Sequence, residues 1–256
     1  MVTIKSKREI ELMRQVCKVV ALTYEELEKN IKPGMTTYEL DKLAEKTMRS
    51  LGATPAQIGY DPGIRGVPKF PAATCVSVND EVVHGIGSDR VLKEGDIVTL
   101  DICTLYKGYH SDSAWTYPVG KISRENERLL HHTEKMLFVG LKEVKNGAHL
   151  NNIGARISEY AHKYHYGVVQ ELCGHGVGRE LHEDPDVLNY GKYNTGMKLK
   201  TGMVIAVEPM ITAGSRHINI LDDIVTRDGK NSAHFEHTVA VTDDGYEILT
   251  GEWKSG

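Results

Sequence analysis

The sequence predicts an α+β fold built from two similar halves, with an antiparallel sheet covered by helices. Three observations carry that prediction. Lys93-Glu-Gly-Asp-Ile-Val-Thr-Leu-Asp101 aligns without a gap on Lys200-Thr-Gly-Met-Val-Ile-Ala-Val-Glu208. Each stretch reads as a turn glycine, a buried strand and a terminal carboxylate. Upstream, Lys32-Pro-Gly34 and Lys145-Asn-Gly147 each lead into a helical pattern, ending near Gly52 and Gly167. The two matches are offset by 113 and 107 residues, which nearly agree. Finally, a helix–helix–strand–strand order occurs twice with no Ser/Gly-rich or Pro-rich linker between. The halves, roughly 1–120 and 121–256, therefore read as one domain with a joined sheet and helices on one side. Short Lys-x-Gly matches arise by chance, but equivalent carboxylates at both strand ends argue against that here.

The elements have local support in chain order. Ser6 with Glu9, and Thr36 with Glu39, each form a capping-box pattern ahead of apolar-periodic stretches. Ser123 opens a third helix to about Val144, and a fourth runs from Leu150 to Tyr164. Strands are expected at Thr74–Asn79, Ile97–Leu105, Tyr109–Pro118, Met203–Met210, Ile218–Thr226 and Phe235–Thr242.

The totals exclude several classes. With 256 residues, 40% hydrophobic and 26% charged, the chain is an ordinary globular sequence that can bury a sizeable core. A net charge of -4 and a pI near 6.3 give no sign of a nucleic-acid substrate or a membrane surface. A ribosome contact would need a local basic patch that totals do not reveal. No apolar run approaches the ~20 residues of a membrane span. Met1 to Arg14 lacks a signal-peptide core. Cys17, Cys75, Cys103 and Cys173 are widely spaced, which fits reduced thiols in a cytoplasmic protein.

Five residues stand out as candidate metal ligands. Asp101 and Asp112 flank a short turn at Tyr106–Gly108, and a hairpin there would set them roughly opposite each other. Carboxylates that close repel unless one is protonated or a cation lies between them. His175 lies in Cys-Gly-His-Gly-Val-Gly, whose glycines leave room around the imidazole and let the chain turn. Glu208 ends an apolar strand before Pro209, and Glu236 lies at the start of the alternating run Phe235 to Val241. Singly, each reads as readily as a strand-end charge or a loop histidine. Together, one imidazole and four carboxylates suit a pair of Mn²⁺, Fe²⁺, Co²⁺ or Zn²⁺ ions and not a thiolate zinc site. Four carboxylates neutralise two divalent ions, and paired ions hydrolyse amides through a shared activated water.

At these segments the chain resembles the type I methionine aminopeptidases. The matching stretches are Val76-Ser-Val-Asn-Asp-Glu-Val-Val-His84-Gly-Ile, Gly95 to Asp101, Tyr109-His-Ser-Asp112, Gly174-His-Gly-Val-Gly-Arg-Glu-Leu-His182-Glu-Asp-Pro, Val207-Glu-Pro-Met210 and Phe235-Glu-His-Thr238. They span essentially the whole chain in the family's order. The resemblance implies the pita-bread (creatinase/aminopeptidase) fold and removal of the initiator methionine from new polypeptides. It implies that Asp101 is a terminal ligand of one ion, that Asp112 and Glu236 bridge, and that His175 and Glu208 complete the second ion's shell. His84 and His182 match two non-ligand histidines at the scissile amide and the tetrahedral centre, and Glu208 doubles as proton shuttle. Phe70 and Cys75, in Phe-Pro-Ala-Ala-Thr-Cys, are the substrate-pocket candidates. A monomer is expected.

The chain departs from the family pattern around the pocket. Asp61–Gly66 reads as an insertion that unsettles the position of Tyr60, and Leu181 stands where Phe is common. Cys103 and Ala206 replace common threonines, and no tryptophan occurs near Asp222. The family's cytosolic eukaryotic zinc-finger arm and type II insertion are not seen, so a compact bacterial-type enzyme is the expectation. Two other readings stay open: an Xaa-Pro aminopeptidase or prolidase, which usually carries a further N-terminal domain, and a non-catalytic pita-bread binding module.

Overall fold

A computed structural model describes residues 2–63, 66–220 and 224–251. In the first half the chain forms α1 (Lys7–Asn30), α2 (Thr37–Ser50), β1 (Thr54–Pro55), β2 (Cys75–Val78), β3 (Glu81–Val83), β4 (Ile97–Tyr106) and β5 (Tyr109–Pro118). The second half forms α3 (Arg124–Leu141), α4 (Asn151–Lys163), β6 (Gly167–Val168), β7 (Gly174–Gly176), β8 (Glu183–Val187), β9 (Val204–Val207) and β10 (Met210–Thr212). It continues with β11 (Ile218–Ile220), β12 (Ile224–Thr226), β13 (Ser232–His234), β14 (His237–Val241) and β15 (Tyr246–Ile248).

Both capping boxes form as the sequence predicts, with Ser6 and Thr36 each accepting from the backbone three residues on and Glu9 and Glu39 reaching back. Ser123 caps α3, which ends at Leu141 and so falls short of Val144. The internal repeat holds bond by bond. Gly34 N–H donates to Leu92 O and Gly147 N–H to Leu199 O, both at 2.8 Å. In return, Leu92 N–H donates to Met35 O and Leu199 N–H to Ala148 O. Gly34 and Gly147 both sit at positive φ, which a side chain rarely tolerates.

Three strand predictions change. Met203–Met210 divides into β9 and β10 around Glu208-Pro209, because proline has no N–H to continue the ladder. Phe235–Thr242 begins later, at His237, with β13 as a separate piece before it. Ile218–Thr226 is two strands, β11 paired antiparallel with β12, with Ile218 opposite Thr226; residues 221–223, including Asp222, lie outside the described residues. Part of the expected insertion, residues 64–65, also lies outside them. Strands as short as β1, β6 and β7 leave no readable alternation in sequence.

Hydrogen bonding divides the strands into four groups where the sequence suggested one sheet. They are β1-β4-β2 with β5 on β4, β15-β14-β9-β7-β8, β13-β10-β6 and β11-β12-β3. The halves meet along a seam between β5 and residues 234–238. There Glu236 N–H donates to Ala114 O (2.8 Å), Thr238 Oγ1 donates to Asp112 O (2.7 Å) and Thr116 Oγ1 donates to His234 O (2.9 Å). Threonine hydroxyls thus replace part of a backbone ladder and bring Asp112 beside Glu236.

The helices α1 and α3 pack on the two arms of this layer, each backed by its partner α2 or α4. The strand period of two puts Leu100 and Ile102 in the core, both 0% exposed, and leaves Asp101 and Cys103 on the other face. Each such buried aliphatic contributes ~1.5–3 kcal/mol. Tyr24 of α1 reaches the sheet with its hydroxyl 2.5 Å from Ser113 O and 2.9 Å from Leu100 O, just behind Asp101 and Asp112. Among the described residues, no helix is long and apolar enough to cross a membrane.

Candidate metal centre

The five candidate ligands converge where the seam crosses the strand ends. Asp101 lies on β4 opposite Ala114, and Asp112 on β5 opposite Cys103. The two carboxylates are therefore diagonal neighbours rather than directly opposed, because the hairpin closes at Tyr106 and Tyr109. Glu208 occupies the break between β9 and β10, and Glu236 the break between β13 and β14. Only the first break carries a sequence signal, Pro209. Glu236 leaves its own ladder because its N–H is taken by Ala114 across the seam.

His175 sits on β7, whose glycines serve a different purpose from the one expected. A Cβ on Gly174 would overlap Ala206 O, and one on Gly176 would overlap Asp184 O. The glycines let β9 and β8 approach closely, and that approach aims the imidazole. His175 Nδ1 donates to Gly176 O at 2.8 Å. A carbonyl only accepts, so Nδ1 carries a proton, and Nε2 is the atom that could ligate a metal once its own proton is displaced. That Nε2 lies 3.4 Å from Asp112 Oδ2 and 3.6 Å from Glu208 Oε1.

The donor atoms form three sets, Asp101–Cys103–Asp112, Asp112–His175–His182 and His175–Glu208–Glu236, linked through Asp112 and His175, each with its atoms within 4.8 Å of one another. Asp112 and Glu236 are 4% and 2% exposed, and Glu236 Oε1 has no hydrogen-bond partner. Among the described residues, no Lys or Arg pairs with any of the four carboxylates. Burial, then the charges of Asp112 and Glu208, push Asp101 and Glu236 well above the usual carboxylate range. Burial also works to raise Asp112, but the His175 hydrogen bond and charge, with Cys103, bring it below its ordinary value. Burial works to lower His175, and Asp112 and Glu208 outweigh it, raising the imidazole to about 9. This concentration of buried negative charge calls for positive charge. A divalent ion fits: the donors are mostly carboxylate oxygen and imidazole, one carboxylate oxygen is unpartnered, and His175 turns Nε2 toward Asp112 and Glu208.

Two further histidines stand at the rim. His84 follows β3 at φ 59, a left-handed conformation uncommon for a side-chain-bearing residue. Gly85 holds it there, because a Cβ would overlap Val76 O, and Val76 N–H donates to Gly85 O at 2.8 Å. His182 packs on His175 with ring centroids 4.2 Å apart. Its surroundings and then His175 lower it to about 4, so the ring is neutral near pH 7. Tyr60 Oη lies 2.6 Å from His182 Nδ1. A cleft of about 300 Å³ opens here, lined by Cys173, His175, His182, Asp184 and Asp186 among others. Phe70 and Cys75 are not among its lining residues. Phe70 instead braces Tyr60 through paired backbone bonds, Phe70 N–H to Tyr60 O and Gly59 N–H to Phe70 O. Cys75 is buried opposite Asp101 and accepts from Gln57 Nε2 at 3.2 Å.

Sequence reasoning missed His234 and Gln57. His234 Nε2 lies 3.5 Å from Glu208 Oε2, with the residue 1% exposed. Its spacing of two from Glu236 on an alternating run was the available signal. Gln57 Nε2 lies 3.4 Å from Asp101 Oδ1, and nothing in its local sequence marks it.

Residues 11–243 match the model of metallopeptidase family M24. The chain belongs to that family. M24 membership brings divalent-metal dependence, which the donor set above accommodates. The chain is 51% identical over 253 residues to methionine aminopeptidase 1 of Bacillus subtilis, covering 98% of this chain and 99% of that one. Its fold superposes on the crystal structure of methionine aminopeptidase from Rickettsia prowazekii with a TM-score of 0.94 at 38% identity, covering 98% and 100% of the two chains. The prolidase from Pyrococcus horikoshii shares the M24 fold at a TM-score of 0.78 and 23% identity, with this chain covering 63% of it. That last likeness concerns the pita-bread fold alone.

Proposed function

We propose that this M24 enzyme removes the N-terminal methionine from new polypeptides and peptides by metal-assisted hydrolysis, with Asp101, Asp112, His175, Glu208 and Glu236 holding two divalent ions. The observation that carries the reading is the convergence of these five side chains, from both halves, on one buried site with an unpartnered carboxylate oxygen. Full-length relatives named methionine aminopeptidase support the substrate assignment.

When bound, the ions supply Lewis acidity, lowering the pKa of water and polarising the carbonyl. The protein's own groups do the rest. With the four carboxylates neutralising the ions, the free α-amine of the substrate would be held by a bound ion, which accounts for cleavage at the N-terminus. Glu208, facing His175 and His234, carries the proton from nucleophile to leaving amine. With the Tyr60 phenol donating to Nδ1, His182 presents Nε2–H as a neutral donor to the developing oxyanion. His84, fixed by its backbone, serves the scissile amide. Phe70 supports the substrate side of the cleft through Tyr60. Cys75 supports it through Gln57 and Asp101.

The test is hydrolysis of Met-Ala-Ser, Leu-Ala-Ser and Ala-Pro-Ala after chelation and readdition of Mn²⁺, Fe²⁺, Co²⁺ or Zn²⁺. Metal-restored cleavage of the Met peptide alone is the expected result. Cleavage of the Pro peptide would replace this reading with an Xaa-Pro activity. Stoichiometric binding without turnover would leave a binding module.

A further inference from the structure

We propose that Cys103 is a sulfur donor to the cation held by Asp101 and Asp112, which makes that half of the centre a mixed sulfur–oxygen site. The inference rests on the metal centre proposed above and adds a ligand to it. Cys103 shares a face of β4 with Asp101 and stands directly opposite Asp112 on β5. Its sulfur lies 3.0 Å from Asp112 Oδ1 and 3.8 Å from Asp101 Oδ1, and the residue is 4% exposed. These three side chains form one of the sets whose donor atoms all lie within 4.8 Å.

Those separations suit a shared ion. A sulfur at ~2.3 Å and an oxygen at ~2.1 Å from one metal are roughly 3.1 Å apart at a right angle and about 3.6 Å apart at a tetrahedral angle. The observed pair of distances brackets these values. Cys75 differs, although it too lies beside Asp101. Its sulfur accepts from Gln57 Nε2, and it is not in the donor set. Coordination releases the thiol proton to water as the sulfur–metal bond forms, with no change of oxidation state.

A sulfur donor shifts preference toward softer ions, zinc and cobalt, over manganese. The opposite half, His175–Glu208–Glu236, keeps nitrogen and oxygen donors only. The two halves then differ in the ion they take, a difference the duplicated carboxylates alone would not produce.

The experiment is absorption spectroscopy of the full chain titrated with Co²⁺. The expected result is visible d–d bands together with a near-ultraviolet sulfur-to-cobalt charge-transfer band. That band should vanish in Cys103→Ser and Cys103→Thr and persist in Cys75→Ser. Zinc affinity, measured by chelator competition, should fall at least ~10-fold in Cys103→Ser, with manganese affinity changing less. Visible bands without the charge-transfer band would overturn the sulfur ligand and leave the metal centre standing. A band that survives Cys103→Ser and disappears in Cys75→Ser would move the sulfur to Cys75 and overturn the assignment. Absence of any cobalt bands would sink both this proposal and the metal centre beneath it.

Discussion

The first-half arm, β4 with β5, and the second-half arm, β9–β10 with β13–β14, deliver carboxylates to the same place by different means. In the first arm the strands run unbroken for ten residues each, and Asp101 and Asp112 project from one face by ordinary pleating. In the second arm both strands stop at the carboxylate, at Glu208-Pro209 and at Phe235-Glu236. An unbroken hairpin sets only the regular spacings of a ladder. A break frees the backbone N–H of Glu236 to bond across the seam, which joins the halves and brings its carboxylate beside Asp112. Regular pairing supplies one pair of donors, and interrupted pairing fits the second pair to them.

The largest effect is expected from Glu208→Ala, which removes both a donor and the proposed proton carrier: kcat should fall about 10³-fold or more. Retention of more than a tenth of the activity would remove Glu208 from the chemistry. The halves also hold their rim histidines differently, His84 by left-handed backbone and His182 by Tyr60. His84→Ala should lower kcat about 10²-fold while the metal content, measured by elemental analysis, stays near that of the parent. Loss of the metal in this variant would make His84 a ligand instead.

Pro209→Ala restores an N–H at the break. The strand can then run through, and a displacement of Glu208 should cost roughly 10-fold in kcat with the melting temperature little changed. Unaltered kinetics would mean that the seam, and not Pro209, sets the break. The smallest effect concerns the loop carrying His182. Burial works to raise Glu183, but hydrogen bonds from Lys5 (2.8 Å) and Thr3 hold it below its ordinary value. A carboxylate with a lowered folded pKa stabilises the protein above its unfolded value, and that stabilisation is lost as pH falls through the folded one. Glu183→Gln should therefore lower the melting temperature slightly near pH 7 and reduce its decline on acidification. An identical decline in parent and variant would show that this ion pair contributes nothing.

Much of the fold was legible before any coordinates. The capping boxes at Ser6 and Thr36, the paired glycine turns at Gly34 and Gly147 and the duplicated strands ending in Asp101 and Glu208 are local patterns with local causes. The five candidate donors stand out in the sequence for the same reason, since each ends or interrupts a recognisable strand or lies in a glycine-rich segment. Tyr60 was obscured by the irregular stretch that follows it. Gln57 and His234 reach the centre through partners distant in the chain, Asp101 44 residues and Glu208 26 residues away.

The repeat, the element order and the residue types of the candidate centre follow from the sequence, because periodicity, capping and turn chemistry act over a few residues. Packing alone makes Asp101 and Asp112 diagonal and breaks the second strand at Glu236. It alone divided the sheet along a threonine seam and set Cys103 against Asp112. Register and seam pairing depend on which backbone groups find partners across more than a hundred residues. No local pattern records that choice.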